Sequence, residues 1–543
     1  MSSPTTPDEA PRRRRWWPRL LASLLIVLAC VAVGVSTASV DGSLGPHEAR
    51  YDVTTDATVT VDLGPLGTLQ IDSPLPLDLG VLITVKEIPE SFVGLDQATT
   101  LRALAGDVQG YVQFFAAPQA VIHDVARGLV FNAILRTLGC LLVAVLTWGG
   151  IGALLGAARR RELADRVRPH ERHLLVGTAL ALVVVVVASG VANARRDEAR
   201  APTESVFDGT ALEGARVTGR LGGVIDTYGR SALDAYRNTN KFYARANRSL
   251  AVHWDATQNA VQAQQELLGG TAAAGVSRPP DLLTVLVVSD LHCNVGMAPL
   301  ITTLAKRSGA SLVLDAGDTT INGTQVEQFC VSTFAHAVPD GVELVTSPGN
   351  HDSAQTSAMY ARAGAKVLSG EVVEVDGMRI LGDRDPNQTR LGQGTSGGLR
   401  STPQEAADLA DTACGDDDGV DLLLIHTPWV GDPTLDRGCA PAQISGHLHR
   451  RTNPVQVGDG IRYISSSSAG ASLNQPTIGE LHGTAEMTVL HWDRRARTFV
   501  DYQVVQVTPD GTAHVLWPSP WPKAIVAPVV PAGGIAPVPP GVN

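Results

Sequence analysis

The chain has 543 residues, with 43 Lys plus Arg against 54 Asp plus Glu and a formal net charge of −11. That balance excludes a protein whose main partner is a nucleic-acid backbone, and an apolar content of 44% excludes wholesale disorder. Charged residues are only 18% and mean hydropathy is +0.07, so part of the apolar surface meets something other than water.

Residues 1–19 form a basic N-terminus in which Arg12 to Arg15 and Arg19 precede an apolar run, with Trp16 and Trp17 placed as interfacial aromatics. Three segments, 20–40, 137–158 and 174–194, carry no charge over 21 or 22 residues. A bilayer core takes about 20 residues of helix, so these read as three transmembrane helices. The loop 159–173 holds Arg159, Arg160, Arg161, Arg166, Arg168 and Arg172. Basic flanks stay on the cytoplasmic side, which places this loop and the N-terminus inside, and residues 41–136 and everything after 194 outside. Arg195, Arg196 and Arg200 oppose that orientation, with Asp197 and Glu198 among them. The competing reading of 20–40 is a cleaved signal peptide with small residues at Ser36 to Ala38; the C-terminal part emerges outside either way.

Between the first two spans, Ala57 to Val61 and Val81 to Val85 alternate apolar and polar residues between Gly and Pro, which predicts a small antiparallel β unit. From Leu101 to about Arg136 the pattern turns helical and leads into the second span. Residues 195–280 are a juxtamembrane connector, with a strand near 215–221 and a helix from about Gly222 to Leu268. On that helix Tyr236, Phe242, Tyr243 and Trp254 read as a packing face. Residues 519–543, rich in Ala, Val, Gly and Pro, read as a disordered tail. Cys30 and Cys140 lie in spans, leaving an even set outside: Cys293, Cys330, Cys414 and Cys439. Of three connectivities, pairing of nearest neighbours, Cys293 with Cys330 and Cys414 with Cys439, is favoured, with four buried thiols as an equal alternative.

The chemistry lies in residues 281–518. An apolar strand from Leu282 to Ser289 ends at Asp290-Leu291-His292, and a second from Ser311 to Leu314 ends at Asp315-Ala316-Gly317-Asp318. A third, Val342 to Val345, leads to Gly349-Asn350-His351-Asp352, and a fourth, Asp421 to Ile425, to His426-Thr427-Pro428. A further segment carries Gly446-His447-Leu448-His449. Ligands in α/β sheets bind at such strand ends. On an extended chain, Asp290 and His292 project to one side and can hold one ion, as can His447 and His449. Carboxylate with neutral imidazole suits Mn, Fe or Zn better than Ca or Mg. Each element alone is bland, and the five together in order point to a metal centre.

In this order the motifs resemble those of the calcineurin-like metallophosphoesterase superfamily, over about residues 281–518. The resemblance implies an α/β fold, a four-layer αββα sandwich, here preceded by three transmembrane helices and a small outer β unit. It implies two divalent metal ions, one held by Asp290, His292 and His449 and the other by Asn350, His426 and His447, with Asp318 bridging them. His351 is then the catalytic residue beside the metals, protonating the leaving group after attack by a hydroxide that bridges them. Asp352 is expected to orient an imidazole from outside the ligand set. Asn294, Asn322 and Trp429 are candidates for the substrate entrance, with plain surface loops as the alternative, and Asp315 and Cys293 look like scaffold. Arg outnumbers Lys 38 to 5, which points to a GC-rich bacterial gene and unused sequons at Asn247, Asn322 and Asn387.

The expected function is a membrane-anchored phosphoesterase at the outer face of the cytoplasmic membrane, acting on a phosphomonoester or phosphodiester, with a lipid or lipid-linked head group made attractive by proximity. No nucleic-acid partner is expected. The alternative from another class is a non-catalytic metal- or phosphate-binding envelope sensor or assembly protein. A third version makes the outer β unit the functional part, with the phosphoesterase serving it.

Overall fold

The computed structural model describes residues 17–44, 47–64, 67–86, 118–156, 158–159, 162, 203–208, 212–219, 221–269, 281–390, 394–472, 477 and 479–525. Two compact units emerge, the second built mainly from Ser231 onward.

In the first unit, helix α1 (Trp17–Ser36) is followed by strands β1 (Ser39–Leu44), β2 (His47–Thr54), β3 (Thr58–Asp62), β4 (Thr68–Asp72) and β5 (Gly80–Val85). Helix α2 (Pro118–Leu154) and the short strand β6 (Arg216–Val217) complete it. The sheet runs β1-β2-β5-β3-β4-β6. It is not wholly antiparallel as predicted, because β3 pairs with β5 in parallel. The predicted connector strand joins this same sheet: Val217 pairs with Leu69, Arg216 bonds Asp72, and Phe207, Ala215 and Val217 are buried together against Leu69 and Ile71. An edge strand such as β4 offers unpaired N–H and C=O groups, and β6 covers part of that edge.

Among the described residues one helix, Ile122–Leu154, is long and apolar enough to cross a membrane, with 33 residues and mean hydropathy 2.2. The first predicted span is shorter than read from the sequence. Its apolar helix covers Leu20–Ser36, and by Ala38, whose carbonyl accepts the Val53 amide at 3.0 Å, the chain has left the helix for the sheet. The third segment, 174–194, lies outside the described residues, as do 101–117 of the predicted helical lead-in. The described helix begins at Pro118, a residue whose missing N–H costs nothing in a first turn.

In the second unit, β7 (Leu282–Val288), α4 (Ala298–Ser308), β8 (Leu312–Asp315), α5 (Gln328–Ala337), β9 (Glu343–Thr346), α6 (Ala354–Arg362) and β10 (Lys366–Val367) alternate along the chain; they follow α3 (Leu221–Gly269), which belongs here from Ser231. Then come β11 (Val373–Val375), β12 (Met378–Leu381), the hairpin β13 (Asn387–Arg390) and β14 (Gly394–Gly397), α7 (Thr402–Gly415) and β15 (Leu422–Leu424). Helix α8 (Asp432–Asp436), β16 (Ala442–Ser445), β17 (Thr452–Val457), β18 (Gly460–Ile464), β19 (Ala485–Asp493), β20 (Thr498–Val507), β21 (Ala513–Val515) and β22 (Ser519–Pro520) finish the described chain.

One sheet runs β10-β9-β8-β7-β19-β20-β21, with β22 on β20, and the other β11-β12-β15-β16-β18-β17. They share one apolar core. From the first sheet Leu283, Val285, Val287, Leu312, Leu314, Leu490 and Trp492 enter it, and from the second Ile380, Leu422, Leu424, Ile444 and Tyr463. The period of two is visible in β15: Leu422 and Leu424 face this core, while Leu423, with Ile425 just beyond the strand, packs under Ala406, Leu409 and Ala413 of α7. The result is a pair of mixed α/β sheets, consistent with a metallophosphoesterase fold.

Cys293 pairs with Cys330 and Cys414 with Cys439. The long connector helix matches its predicted bounds within one residue and buries Phe242, Tyr243 and Trp254, with Ala246 and Leu250 on the same stripe, while Tyr236 is half-buried. Its Ser249 Oγ accepts the Ala513 amide and its Gln258 amide bonds Gln503, so this part of the connector packs on the β20–β21 end of the sandwich. The predicted tail begins too early. Trp521 is buried in the inter-sheet core against Phe499, at 4.9 Å between ring centres, because a large aromatic gains more from burial than the surrounding Pro and Ala lose by ordering. Residues 526–543 lie outside the described residues.

Candidate metal centre

All five motif loops leave the C-terminal ends of parallel strands: β7, β8 and β9 run parallel in one sheet, and β15 and β16 in the other. Their loops meet, and two groups of donor atoms converge. In the first, ligand atoms of Asp290, His292, Asp318 and His449 all lie within 4.8 Å of one another, and in the second those of Asp318, His426 and His447 do. His292 Nε2 and His449 Nε2 face each other at 3.0 Å, and His449 Nε2 is 3.3 Å from Asp290 Oδ1. His426 Nε2 stands 3.1 Å from Asp318 Oδ2, and His447 Nδ1 is 2.9 Å from Asn350 Oδ1. Asp318 is common to both groups. His351 is in neither, and its ring stands edge-on to His292 with centres 4.9 Å apart.

The route to this convergence differs from the extended-strand geometry expected for Asp290, His292, His447 and His449. Their φ angles are 53°, 39°, 72° and 50°, and Asp318 has 58°. These are left-handed conformations that L residues rarely adopt and that persist only where the surroundings over-determine them. The turns also send His447 and His449 to different donor groups, whereas alternation on a strand would have kept the pair together. Two glycines make room: a Cβ on Gly349 would lie 2.2 Å from Asp318 Oδ1, and one on Gly446 1.9 Å from Ser289 Oγ.

Partners outside the donor set fix which atoms point inward. His426 Nδ1 is 2.7 Å from the Ala316 carbonyl and donates to it, which turns Nε2 toward Asp318. His351 Nδ1 is held in the same way by the Ile321 carbonyl at 2.6 Å. The Asn350 amide donates to Thr389 Oγ1 at 2.7 Å, which turns its oxygen to His447. Asp352 does not orient an imidazole as expected. Its buried carboxylate accepts the amides of Asp318, Thr320 and Gly349 and the Thr320 hydroxyl, and so shapes the backbone that carries Asp318.

The donor chemistry fits divalent cations. Burial pushes the His292 imidazole down to about 4, against the pull of Asp318 and Asp290, so it is neutral, as a ligand must be. Burial would raise the Asp318 carboxyl, but the imidazoles of His426, His292 and His351 hold it well below the usual carboxylate range. His426, pressed down by burial, is carried above its ordinary value by Asp318 and Asp290. The buried carboxylates thus draw positive charge into the space where the donor atoms converge, and a cation there meets the same demand.

Residues 283–451 match the family model of the calcineurin-like phosphoesterases. They form a calcineurin-like phosphoesterase domain. A domain of this class is a metal-dependent phosphoester hydrolase, which is the enzyme class expected from the motifs. Among solved structures the chain is similar to an archaeal phosphodiesterase, at 12% identity over 43% of this chain and 100% of that one, with a TM-score of 0.26. It is also similar to a 5′-nucleotidase precursor from Thermus thermophilus, at 15% identity over 42% of this chain and 55% of that one, TM-score 0.27. The NAD nucleotidase of Haemophilus influenzae gives 13% identity over 44% and 50% and a TM-score of 0.25. The chain spans about half the length of these last two proteins. At such scores the likenesses carry no weight beside the family model, and no curated protein matches the chain.

Around the phosphoesterase site, Trp429 is 46% exposed with its ring edge-on to His447 at 5.4 Å, so it stands at the rim. Asn294 does not. It is buried, bonded to the Tyr243 hydroxyl, and faces the scaffold. Asn322 is half-buried, in a loop whose amide donates to Glu327. Two groups of supporting residues were not singled out from the sequence. Arg390 on β13 donates to the carbonyls of Asn350, His351 and Asp352, clasping that loop from a hairpin about 40 residues away with no local signal. Ser466 and Ser467 donate to the carbonyls of His449 and Asp290, and Ser468 accepts the Ser289 amide. That run had a visible signature: four consecutive serines, Ser465 to Ser468, closing an apolar strand.

Proposed function

We propose that this chain is a membrane-anchored phosphoester hydrolase with two divalent ions, one held by Asp290, His292 and His449 and the other by Asn350, His426 and His447, with Asp318 shared. The observation that carries this reading is the pair of converging donor groups with the Asp318 carboxylate in common. The four-layer αββα description fits two core-sharing sheets with α7 packed on an outer face. Divalent ions in such a pair supply an activated water near neutral pH and neutralise phosphoryl oxygens during in-line displacement. Everything else falls to the chain. Asp318 sets the spacing of the two groups, and the left-handed turns hold the donors in place before anything binds. Asn350 contributes a neutral oxygen, which limits the negative charge around the phosphoester. His351, with Nδ1 committed to the Ile321 carbonyl, presents Nε2 to donate a proton to the departing alkoxide.

The anchor rests on the 33-residue apolar helix, on the apolar α1 and on the uncharged segment 174–194. The Arg clusters before residue 20 and in 159–173 support a phosphoesterase domain on the extracytoplasmic side of the cytoplasmic membrane. Substrates presented at that surface, lipid-linked phosphoesters among them, are within its reach. The test is hydrolysis of matched chromogenic phosphomonoester and phosphodiester substrates by the full chain in detergent, stripped of metal and resupplied with Mn. Metal-dependent turnover is expected, and Asp318→Asn should lose bound metal and activity together. Near-normal turnover in that variant would overturn the two-metal reading. A folded wild type with two metals bound and no turnover on either ester would point instead to a binding role.

A further inference from the structure

The loop that carries Asp290 and His292 is braced by a residue outside the 283–451 match. Tyr243 lies on α3, and its buried hydroxyl sits 2.9 Å from Asn294 Oδ1 and 2.7 Å from the Gly479 carbonyl. Its ring rests directly on the loop backbone: a Cβ on Gly296 would stand 2.1 Å from the ring. Asn294 in turn donates its backbone amide to the Leu291 carbonyl at 2.8 Å and its side-chain amide to the Ala469 carbonyl at 3.5 Å. Across the same gap, Thr477 Oγ1 donates to the His292 carbonyl at 2.6 Å. Residues 291–296 are therefore held between α3 on one side and Ala469, Thr477 and Gly479 on the other.

This bracing falls where the backbone needs it. Asp290, His292 and Cys293 have φ of 53°, 39° and 57°, and no glycine among them relieves the conformation. Left-handed conformations at L residues persist only where the surroundings over-determine them, so each contact that holds this turn helps to keep Asp290 and His292 facing His449. On one side the Cys293–Cys330 disulfide and the amides of Asp290, His292 and Cys293, which donate to the carbonyls of Gly317, Asp318 and Thr319, tie the turn to the neighbouring motif loop, and Tyr243 adds a hold from a separate element one residue on, at Asn294. We propose that Tyr243 is a positioning residue of the metal centre, keeping the Asp290–His292 turn in register with His449 through Asn294. This rests on the two-metal reading above. It places part of the working enzyme on the connector helix, ahead of the family match.

The variant Tyr243→Phe removes one oxygen and keeps the ring over Gly296. The full chain in detergent, freed of metal, is titrated calorimetrically with Mn(II), and its thermal midpoint is measured alongside. Two binding events are expected in the wild type. In Tyr243→Phe one of them should weaken by roughly tenfold and the other stay in place, the size typical of losing an outer partner of a ligand. Asn294→Ala should weaken the same event, and the double variant should lose less than the two single losses together, since the Tyr243–Asn294 bond is counted in both. Unchanged affinity at both sites would overturn the proposal, as would a lowered thermal midpoint with intact metal binding, which is mere packing, or losses that add. A wild type that binds no metal would instead overturn the two-metal reading, and this inference with it.

Discussion

His351 stands beside both donor groups without joining either, and only its backbone amide, 2.8 Å from Asp318 Oδ1, touches the shared carboxylate. Its side chain can therefore be removed while the donors remain. His351→Ala should lower kcat by roughly 10²- to 10⁴-fold with metal content unchanged, as measured by elemental analysis of the same samples, since that is the usual worth of a positioned acid. Loss of a metal in that variant would make His351 a ligand. Asp315 makes a different prediction. Burial first, then the Asp352 charge, push its carboxyl up to about 6 from an ordinary 3.8. The folded state thus keeps a proton that the unfolded chain has released between those values, so stability falls as pH rises through the window and the loss is complete above about 6. The loss amounts to about 3 kcal/mol. Asp315→Asn cannot titrate, but it forfeits part of the bonding from Thr319, Thr346 and Gly317, at a cost of about 1 kcal/mol. In urea unfolding of the metal-free protein the variant should be the less stable at pH 4 and the more stable at pH 7. A difference that stays constant across that range would contradict the assignment.

Elements of the sandwich appear where apolar runs end in turn residues, which is why β7, β8, β9 and β15 fall within a residue of their predicted bounds. Elements whose formation depends on a distant partner behave differently. Strand β6 is two residues long and exists because the edge of β4, far back in the chain, offers it a ladder. Strand β22 and Trp521 were placed in the tail because Pro and Ala surround them, yet Trp521 packs among Tyr463, Phe499 and Tyr502. Trp521→Ala should therefore cost roughly 3 to 5 kcal/mol in urea unfolding, the range for large aromatic core truncations. A loss under about 1 kcal/mol would show that the C-terminal strand is dispensable. Hairpin β13–β14 carries Thr389 and Arg390 to the Asn350–Asp352 loop, and its composition, Asn387 to Gly397, has no apolar alternation to announce it.

For the molecule as a whole, the basic clusters before residue 20 and in 159–173 predict which side of the membrane the phosphoesterase domain occupies. Protease added to intact spheroplasts should remove the phosphoesterase domain and leave the apolar helices, and full protection of that domain would reverse the orientation. The residue types able to hold metal, and their placement after apolar strands, were legible along the chain, because each motif is a local pattern of a few residues following a run of Val, Leu and Ile. The nearest-neighbour cysteine pairs were legible for the same reason. Only the tertiary structure decided how the motifs come together: His292 meets His449 across 157 residues, His447 turns away to Asn350 and His426, Asp352 turns to backbone amides, and Tyr243 reaches Asn294 from the connector helix. Those contacts depend on which strand ends the two sheets bring to one edge and on left-handed turns at Asp290, His292, His447 and His449. A local pattern encodes the donors a chain can offer, whereas their grouping around a shared carboxylate is set by contacts between segments that sequence spacing leaves unrelated.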